Sequence, residues 1–228
     1  MKHSGKALKA AFRLILIALV VVVVILAIGA VALPKGDFSV AFFGGLGALW
    51  VLFTAFTLYF FRDPDARVPA GTNLVLAPGH GKVDVIGTTT EPAFMGGDCQ
   101  RISIFLSVID VHVQNAPVSG KIAYFKYTPG QFLNALKAES AIYNENVLLG
   151  FEASQPRGQK VGVRLIAGVI ARRIVPFVQQ GDEVARGDRV SLIQFGSRAD
   201  VYLPRNAKIK VQLNDHVVGG ETVLAVFE

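Results

Sequence analysis

The sequence predicts a mainly β domain of the barrel-sandwich type with short helices, preceded by an N-terminal transmembrane helical hairpin. Three observations predict it. Two uncharged apolar runs, Leu14 to Leu33 and Phe38 to Phe61, open the chain, and each meets the roughly 20 residues a helix needs to cross a bilayer. Beyond them, short runs rich in Val, Ile, Phe and Tyr alternate with turns of Gly, Pro, Asn and Asp, and helical periodicity is weak. The chain of 228 residues is 52% hydrophobic with mean hydropathy +0.46, too apolar for an ordinary soluble domain but long enough for one globular unit behind an anchor.

Residues 1–61 read as the anchor and 62–228 as the globular domain. Only Pro34-Lys35-Gly36-Asp37 separates the two apolar runs, so the helices form a tight hairpin with both ends on one side. Lys2, Lys6, Lys9 and Arg13 precede the first run, and Arg62 and Arg67 follow the second. That bias puts the ends, and the domain, on the cytoplasmic side of the cell membrane. A cleaved signal peptide fits less well, because the first run is too long and leads straight into another apolar run.

In the globular part, strands are expected over Asn73 to Leu76, Lys82 to Ile86, Arg101 to Leu106, Gly120 to Tyr127, Val161 to Ile166, Val190 to Phe195, Lys208 to Leu213 and Thr222 to Phe227. Short helices are expected around Phe132 to Ala141 and Ala167 to Arg173. Two internal echoes imply repeated hairpins. Ala77-Pro78-Gly79-His80-Gly81-Lys82-Val83 recurs in outline as Ala116-Pro117-Val118-Ser119-Gly120-Lys121-Ile122, and Gly181 to Gly187 recurs as Asn214 to Gly220. These phrases resemble the hairpins of lipoyl and biotinyl carrier domains, although the chain lacks a Met-Lys-Met tip.

Setting aside the five cations and one anion of residues 1–61, 18 Lys and Arg face 16 Asp and Glu, too even a balance for nucleic-acid binding. Cys99 is the one cysteine, which excludes an internal disulfide and agrees with a reducing compartment. The histidines and carboxylates show no metal-ligand spacing.

The stretch that carries chemistry is Phe195-Gly196-Ser197-Arg198. A Ser hydroxyl lies close to the carbonyl carbon of the preceding residue, and Gly there removes the Cβ that would hinder attack on that carbon. On the dipeptide alone an ordinary loop is the commoner reading. The blocks "YFFRDPDARVP", "APGHGKV", "ISIFLSVIDVHVQNAPVSGKI", "YTPGQFLNA", "IAGVIARRIV", "GDEVARGDRVSLIQFGSRADVYLP" and "GGETVLA" change that. In order and spacing they resemble the phosphatidylserine decarboxylases, in the short prokaryotic form, from about Phe61 to the end.

That resemblance implies a proenzyme that cuts itself between Gly196 and Ser197 and converts Ser197 into a pyruvoyl group, its self-derived cofactor. The amine of phosphatidylserine would form a Schiff base there, carbon dioxide would leave, and phosphatidylethanolamine would be released. The partners it implies are phosphatidylserine, the membrane, and the large and small fragments of the same chain; a homo-oligomer stays open. His112 matches the family's histidine and is the candidate for proton transfer. Asp110, two residues away, would share its face in a strand and could orient the imidazole. Arg172 and Arg173 are candidates for the lipid's phosphate or carboxylate. The family usually has Asp where this chain has His80, the third catalytic candidate; Asn115 stands for an Arg, and Asn144-Glu145-Asn146 for a pattern ending in Arg. Two alternatives are carried forward: a non-catalytic membrane adaptor with carrier-like hairpins, and a decarboxylase relative that no longer matures.

Overall fold

A computed structural model describes residues 2–131, 143–168, 173–194 and 197–228. The chain divides into two compact units, Gly5–Asp63 and Pro64–Glu228, the latter joined by the first four residues.

The smaller unit is a pair of helices, α1 (Lys6–Ala32) and α2 (Asp37–Phe60), packed on each other across a short turn. α1 starts well before the uncharged run because Lys and Arg are good helix formers and extend it without breaks. Near the turn Gly29 lets the second helix approach, since a Cβ there would lie 3.0 Å from the Phe43 ring. The Ser39 hydroxyl closes the start of α2 by donating to the Gly36 carbonyl at 2.7 Å. Both helices are long and apolar enough to cross a membrane.

Among the described residues the larger unit has fourteen strands: β1 (Leu74–Leu76), β2 (Gly81–Glu91), β3 (Gly97–Leu106), β4 (Val113–Asn115), β5 (Gly120–Thr128), β6 (Asn146–Ala153), β7 (Lys160–Ala167), β8 (Arg173–Pro176), β9 (Glu183–Val184), β10 (Arg189–Gln194), β11 (Ser197–Leu203), β12 (Lys208–Ile209), β13 (His216–Val217) and β14 (Val223–Val226). Eight form one curled antiparallel sheet in the order β13-β2-β3-β11-β7-β6-β5-β9; two three-stranded sheets, β4-β10-β8 and β1-β14-β12, complete the unit. Strand alternation sends Ile102, Ile104, Leu106, Val163, Leu165, Ala199, Val201 and Leu203 inward. There they meet Ile174, Val190 and Ile193 of the second sheet and Val75, Leu224 and Ala225 of the third in a single core.

The echoes in the sequence are echoes in space. Gly81 opens β2 and Gly120 opens β5, both at φ +154°, and a Cβ on either would strike a facing carbonyl, that of Phe105 or of Glu152. Only glycine permits that approach. β13 pairs with the start of β2, as β9 pairs with the start of β5. The sheet order therefore reads alike from both ends, with β11 and β7 as the central pair.

Two helical expectations need comment. Ala167 to Arg173 is not one helix: Ala167 ends β7 paired with Ser197, and Arg173 opens β8 opposite Gln194. Those ladders hold both ends extended, and residues 169–172 lie outside the described residues. The expected helix at 132–141 falls wholly outside them. β6 was not expected from the sequence. Its apolar run Val147 to Phe151 lacks alternation because both faces are covered, Leu148 lying against Cys99 and Tyr202 and Gly150 under the Phe94 ring. The Lys208 to Leu213 strand shrinks to two residues because a turn begins at Gln212.

On the outer face of β11, Arg198 is nearly fully buried between two carboxylates, Asp84 Oδ1 at 2.8 Å and Asp200 Oδ1 at 3.3 Å. Burial pushes the Asp84 carboxyl above its ordinary value, Arg198 pulls it down, and the charge of Asp200 raises it again. The folded chain thus holds the Asp84 proton more tightly than the unfolded chain does. Stability associated with this group is lost as pH rises from the ordinary Asp pKa through the raised one. Asp84→Asn removes the titration. In melting experiments the variant is expected to gain on the wild type as pH rises above the ordinary Asp pKa, and a constant difference would refute the assignment.

Candidate active site

Ser197 is the first residue of β11 and pairs with Leu106 of β3 on one side and Ala167 of β7 on the other. Its side chain shares the inward face with Ala199 and is fully buried, and its hydroxyl makes no hydrogen bond among the described residues. A buried hydroxyl without a partner costs roughly 1–3 kcal/mol; Ser103 and Ser191 are in the same state, so what singles Ser197 out is its place directly after Gly196 in the sequence. Gly196 lies outside the described residues. The strands before and after it in sequence, β10 and β11, belong to different sheets.

β3 leads from Leu106 directly to the turn Ser107–Asp110 and then to His112, whose carbonyl accepts the Ile193 N–H at 3.1 Å. His112 is therefore tied to the strand that runs into Gly196, while Leu106 is tied to Ser197. The ring is fully buried. Its Nδ1 lies 2.9 Å from the carbonyl oxygen of Asp110. A carbonyl can only accept, so Nδ1 carries the hydrogen and Nε2 is the basic nitrogen of the neutral ring.

The expectation that the Asp110 carboxylate orients His112 is corrected. Asp110 closes a turn and is not in a strand, so residue alternation does not apply. Its Oδ2 accepts the Ser107 N–H at 2.8 Å and the Ser107 hydroxyl at 2.7 Å, and its Oδ1 faces His216 Nε2 at 3.1 Å. Asp110 holds the imidazole through its peptide carbonyl instead.

His80 is half-buried in the turn before β2. Gly79 packs on Leu106, the strand partner of Ser197, and Pro78 O accepts the Asn115 N–H at 2.8 Å. The His80 ring lies beside Gly219, as does the Asn115 amide, whose Nδ2 donates to Gly187 O at 2.8 Å. Arg173 is exposed opposite Gln194. Arg172 lies outside the described residues. Cys99 is buried; burial, then the charge of Glu91, push its thiol up, which disfavours a nucleophilic role.

Residues 53–225 match the family described as phosphatidylserine decarboxylase. A phosphatidylserine decarboxylase proenzyme of Desulfotalea psychrophila is 44% identical over 176 residues, covering 77% of this chain and 81% of the relative. Proenzymes of the same name from Rickettsia bellii and Rickettsia felis are each 43% identical over 185 residues, covering 80% of this chain and 79% of the relative. The chain belongs to the phosphatidylserine decarboxylase family. Its adaptor alternative is thereby set aside.

Within this family frame, Glu145 is the residue that sequence reasoning passed over. Asn144-Glu145-Asn146 stood out only for its missing Arg. In the structure Asn144 Nδ2 donates to Ala167 O at 2.7 Å, the Ala167 N–H donates to Glu145 O at 2.9 Å, and the Ile174 N–H donates to Glu145 Oε1 at 3.0 Å. Two adjacent residues thus fasten both ends of the stretch that contains Arg172. Partial desolvation, then the charge of Glu145 and a hydrogen bond to it, raise the Tyr127 phenol, with Arg173 opposing. No sequence pattern marked it, because its partners are backbone groups.

Glu145→Ala leaves the Ile174 N–H buried without an acceptor. It is expected to cost about 1–3 kcal/mol in chemical denaturation, with Glu145→Gln recovering most of it; equal losses for both would contradict the clamp.

Proposed function

We propose that the chain is a membrane-held proenzyme that cuts itself between Gly196 and Ser197 and then decarboxylates phosphatidylserine to phosphatidylethanolamine. The observation that carries the reading is Ser197 itself: a fully buried hydroxyl, without a partner among the described residues, opening the central strand of the sheet.

In maturation the Ser197 Oγ gives up its proton and bonds to the Gly196 carbonyl carbon, and the Gly196–Ser197 C–N bond breaks, leaving an ester and a new amino group. Loss of the Ser197 α-proton expels the Gly196 carboxylate, and water then releases ammonia. A pyruvoyl group remains on the small fragment, residues 197–228. Its site fits: the Ser197 side chain that would become the group is fully buried and its hydroxyl has no competing hydrogen bond among the described residues. When formed, that group supplies an electrophilic carbonyl for the lipid amine and a sink for the electrons released with carbon dioxide.

The chain's own residues do the rest. His112, with Nε2 as its basic nitrogen, moves the proton at the reacting carbon, and Asp110 is a positioning residue that fixes the ring. Arg173, with Arg172 beside it in sequence, meets the anionic head group from the exposed side. The apolar helices cross the cell membrane, with Lys2, Lys6, Lys9 and Arg13 at one end and Arg62 and Arg67 at the other keeping both termini cytoplasmic. A substrate whose acyl chains stay in the bilayer then meets a domain confined to its surface.

One observation favours a second reading, a relative that no longer matures. His80 stands where the family's acid is expected, and its ring lies beside Gly219 and near the Asn115 amide. A neutral imidazole does not stabilise a neighbouring imidazolium as a carboxylate does.

On a denaturing gel the purified protein is expected to run as two fragments, the smaller lighter than unmodified 197–228 by one ammonia and without a free amino terminus; Ser197→Ala leaves one intact chain. An intact wild type that splits only after His80→Asp would establish the second reading. In the mature enzyme, His112→Ala is expected to lower kcat at least tenfold with little change in KM. His216→Ala, which breaks a largely exposed pair, should stay within about threefold.

A further inference from the structure

Four turns in the β unit share one construction: the N–H of the fourth residue, an Asp, donates to the carbonyl of the first, and its carboxylate accepts the N–H of the first. They are Ser107–Asp110, Gln179–Asp182, Ala185–Asp188 and Gln212–Asp215. Two have the tips turn chemistry favours, Gln180-Gly181 and Arg186-Gly187. The third keeps such a residue only at its second place, Asn214 at φ +76°, and the fourth has none. Val108 and Ile109 form one tip, 39% and 62% exposed, and Leu213, 54% exposed, stands on the other.

The internal repeat makes the contrast sharper. Gln212–Asp215 leads into β13 as Gln179–Asp182 leads into β9, so Leu213 occupies the place of Gln180. The turn after β3 carries Val108-Ile109, whereas that after β6, its counterpart, carries Gln155, Pro156 and Arg157. One end of a twofold-like sheet is polar and the other apolar. The two apolar tips belong together, because Asp110 of one turn is bonded to His216, three residues beyond Leu213. The same end carries His112, two residues after Asp110, and exposed Lys82, paired with His216 across β2 and β13.

We infer that the Val108-Ile109 and Leu213 tips enter the acyl boundary of an anionic lipid surface and seat the active-site end of the domain on the membrane, a reading that rests on the lipid substrate proposed above. Three side chains are far too few for a stable protein interface, which takes about 20–30 residues a side. They suit an interfacial contact, where small buried apolar area adds to attraction between cations and anionic head groups. Exposed Lys82 supplies that rim, the Asp215 carboxylate is turned back into its own turn, and the Asp110 carboxylate is taken up by Ser107 and His216.

The test uses the full chain in phosphatidylcholine vesicles containing phosphatidylserine. A variant that copies the polar tips, Val108→Gln with Ile109→Gly and Leu213→Gln, should raise KM on vesicles about tenfold or more, with unchanged rates on dispersed short-chain phosphatidylserine. Equal losses on both substrates, or none on either, would overturn the proposal. Independently, Trp50→Phe with Ile109→Trp gives a single reporter whose emission should be quenched by brominated acyl chains and shielded from acrylamide. The opposite pattern overturns the proposal, and quenching in a protein without decarboxylase activity would count against the catalytic reading alone.

Discussion

Everything in the β unit depends on the two-sided ladder of Ser197–Leu203. Its backbone groups are paired with β3 along one edge and β7 along the other, and an unpaired buried amide or carbonyl would cost about as much as a lost hydrogen bond. A strand held by only one edge would be free to peel away once the bond before it was cut. Here the first residue after that bond is already locked on both sides, and Arg198 adds a buried ionic tie to Asp84 and Asp200. Scission at such a position changes covalent connectivity without removing the contacts that fold the sheet.

The same ladder explains how the site is assembled. Ser197 is placed by Leu106 and Ala167; the chain beyond Leu106 turns to deliver His112, and the chain beyond Ala167 is recovered at Arg173 and Ile174 through Glu145. Residues distant in sequence meet because β11 lies midway between the two halves of the sheet. The internal symmetry supplies two equivalent central strands, of which β11 alone begins with a Ser that follows Gly in the sequence.

Much of this was legible in the sequence where local chemistry and tertiary packing agree. The twin motifs around Gly81 and Gly120 announced repeated hairpins, because a backbone that presses on a facing carbonyl tolerates no Cβ. The apolar pair of helices announced itself by length alone. β6 was hidden because burial on both faces erases the alternation that marks a strand. The link from Asp110 to His112 was misread for a different reason: alternation was applied to a residue that closes a turn, and the carboxylate followed its own turn's N–H while the peptide carbonyl took the imidazole. Glu145 was invisible as a clamp because its partners are backbone groups, which carry no sequence signature.

The burial of Ser197 bears on the lifetime of each molecule. A diffusible cofactor that is damaged can be exchanged for a fresh one. A reactive group made from residue 197 would be part of the chain, sealed between β3 and β7 with no route for replacement short of unfolding. Every copy would therefore be charged once, and any side reaction that consumed the group would retire the protein. In such a system cellular capacity is set by the rate of new synthesis, and the burial of residue 197 serves durability as much as rate.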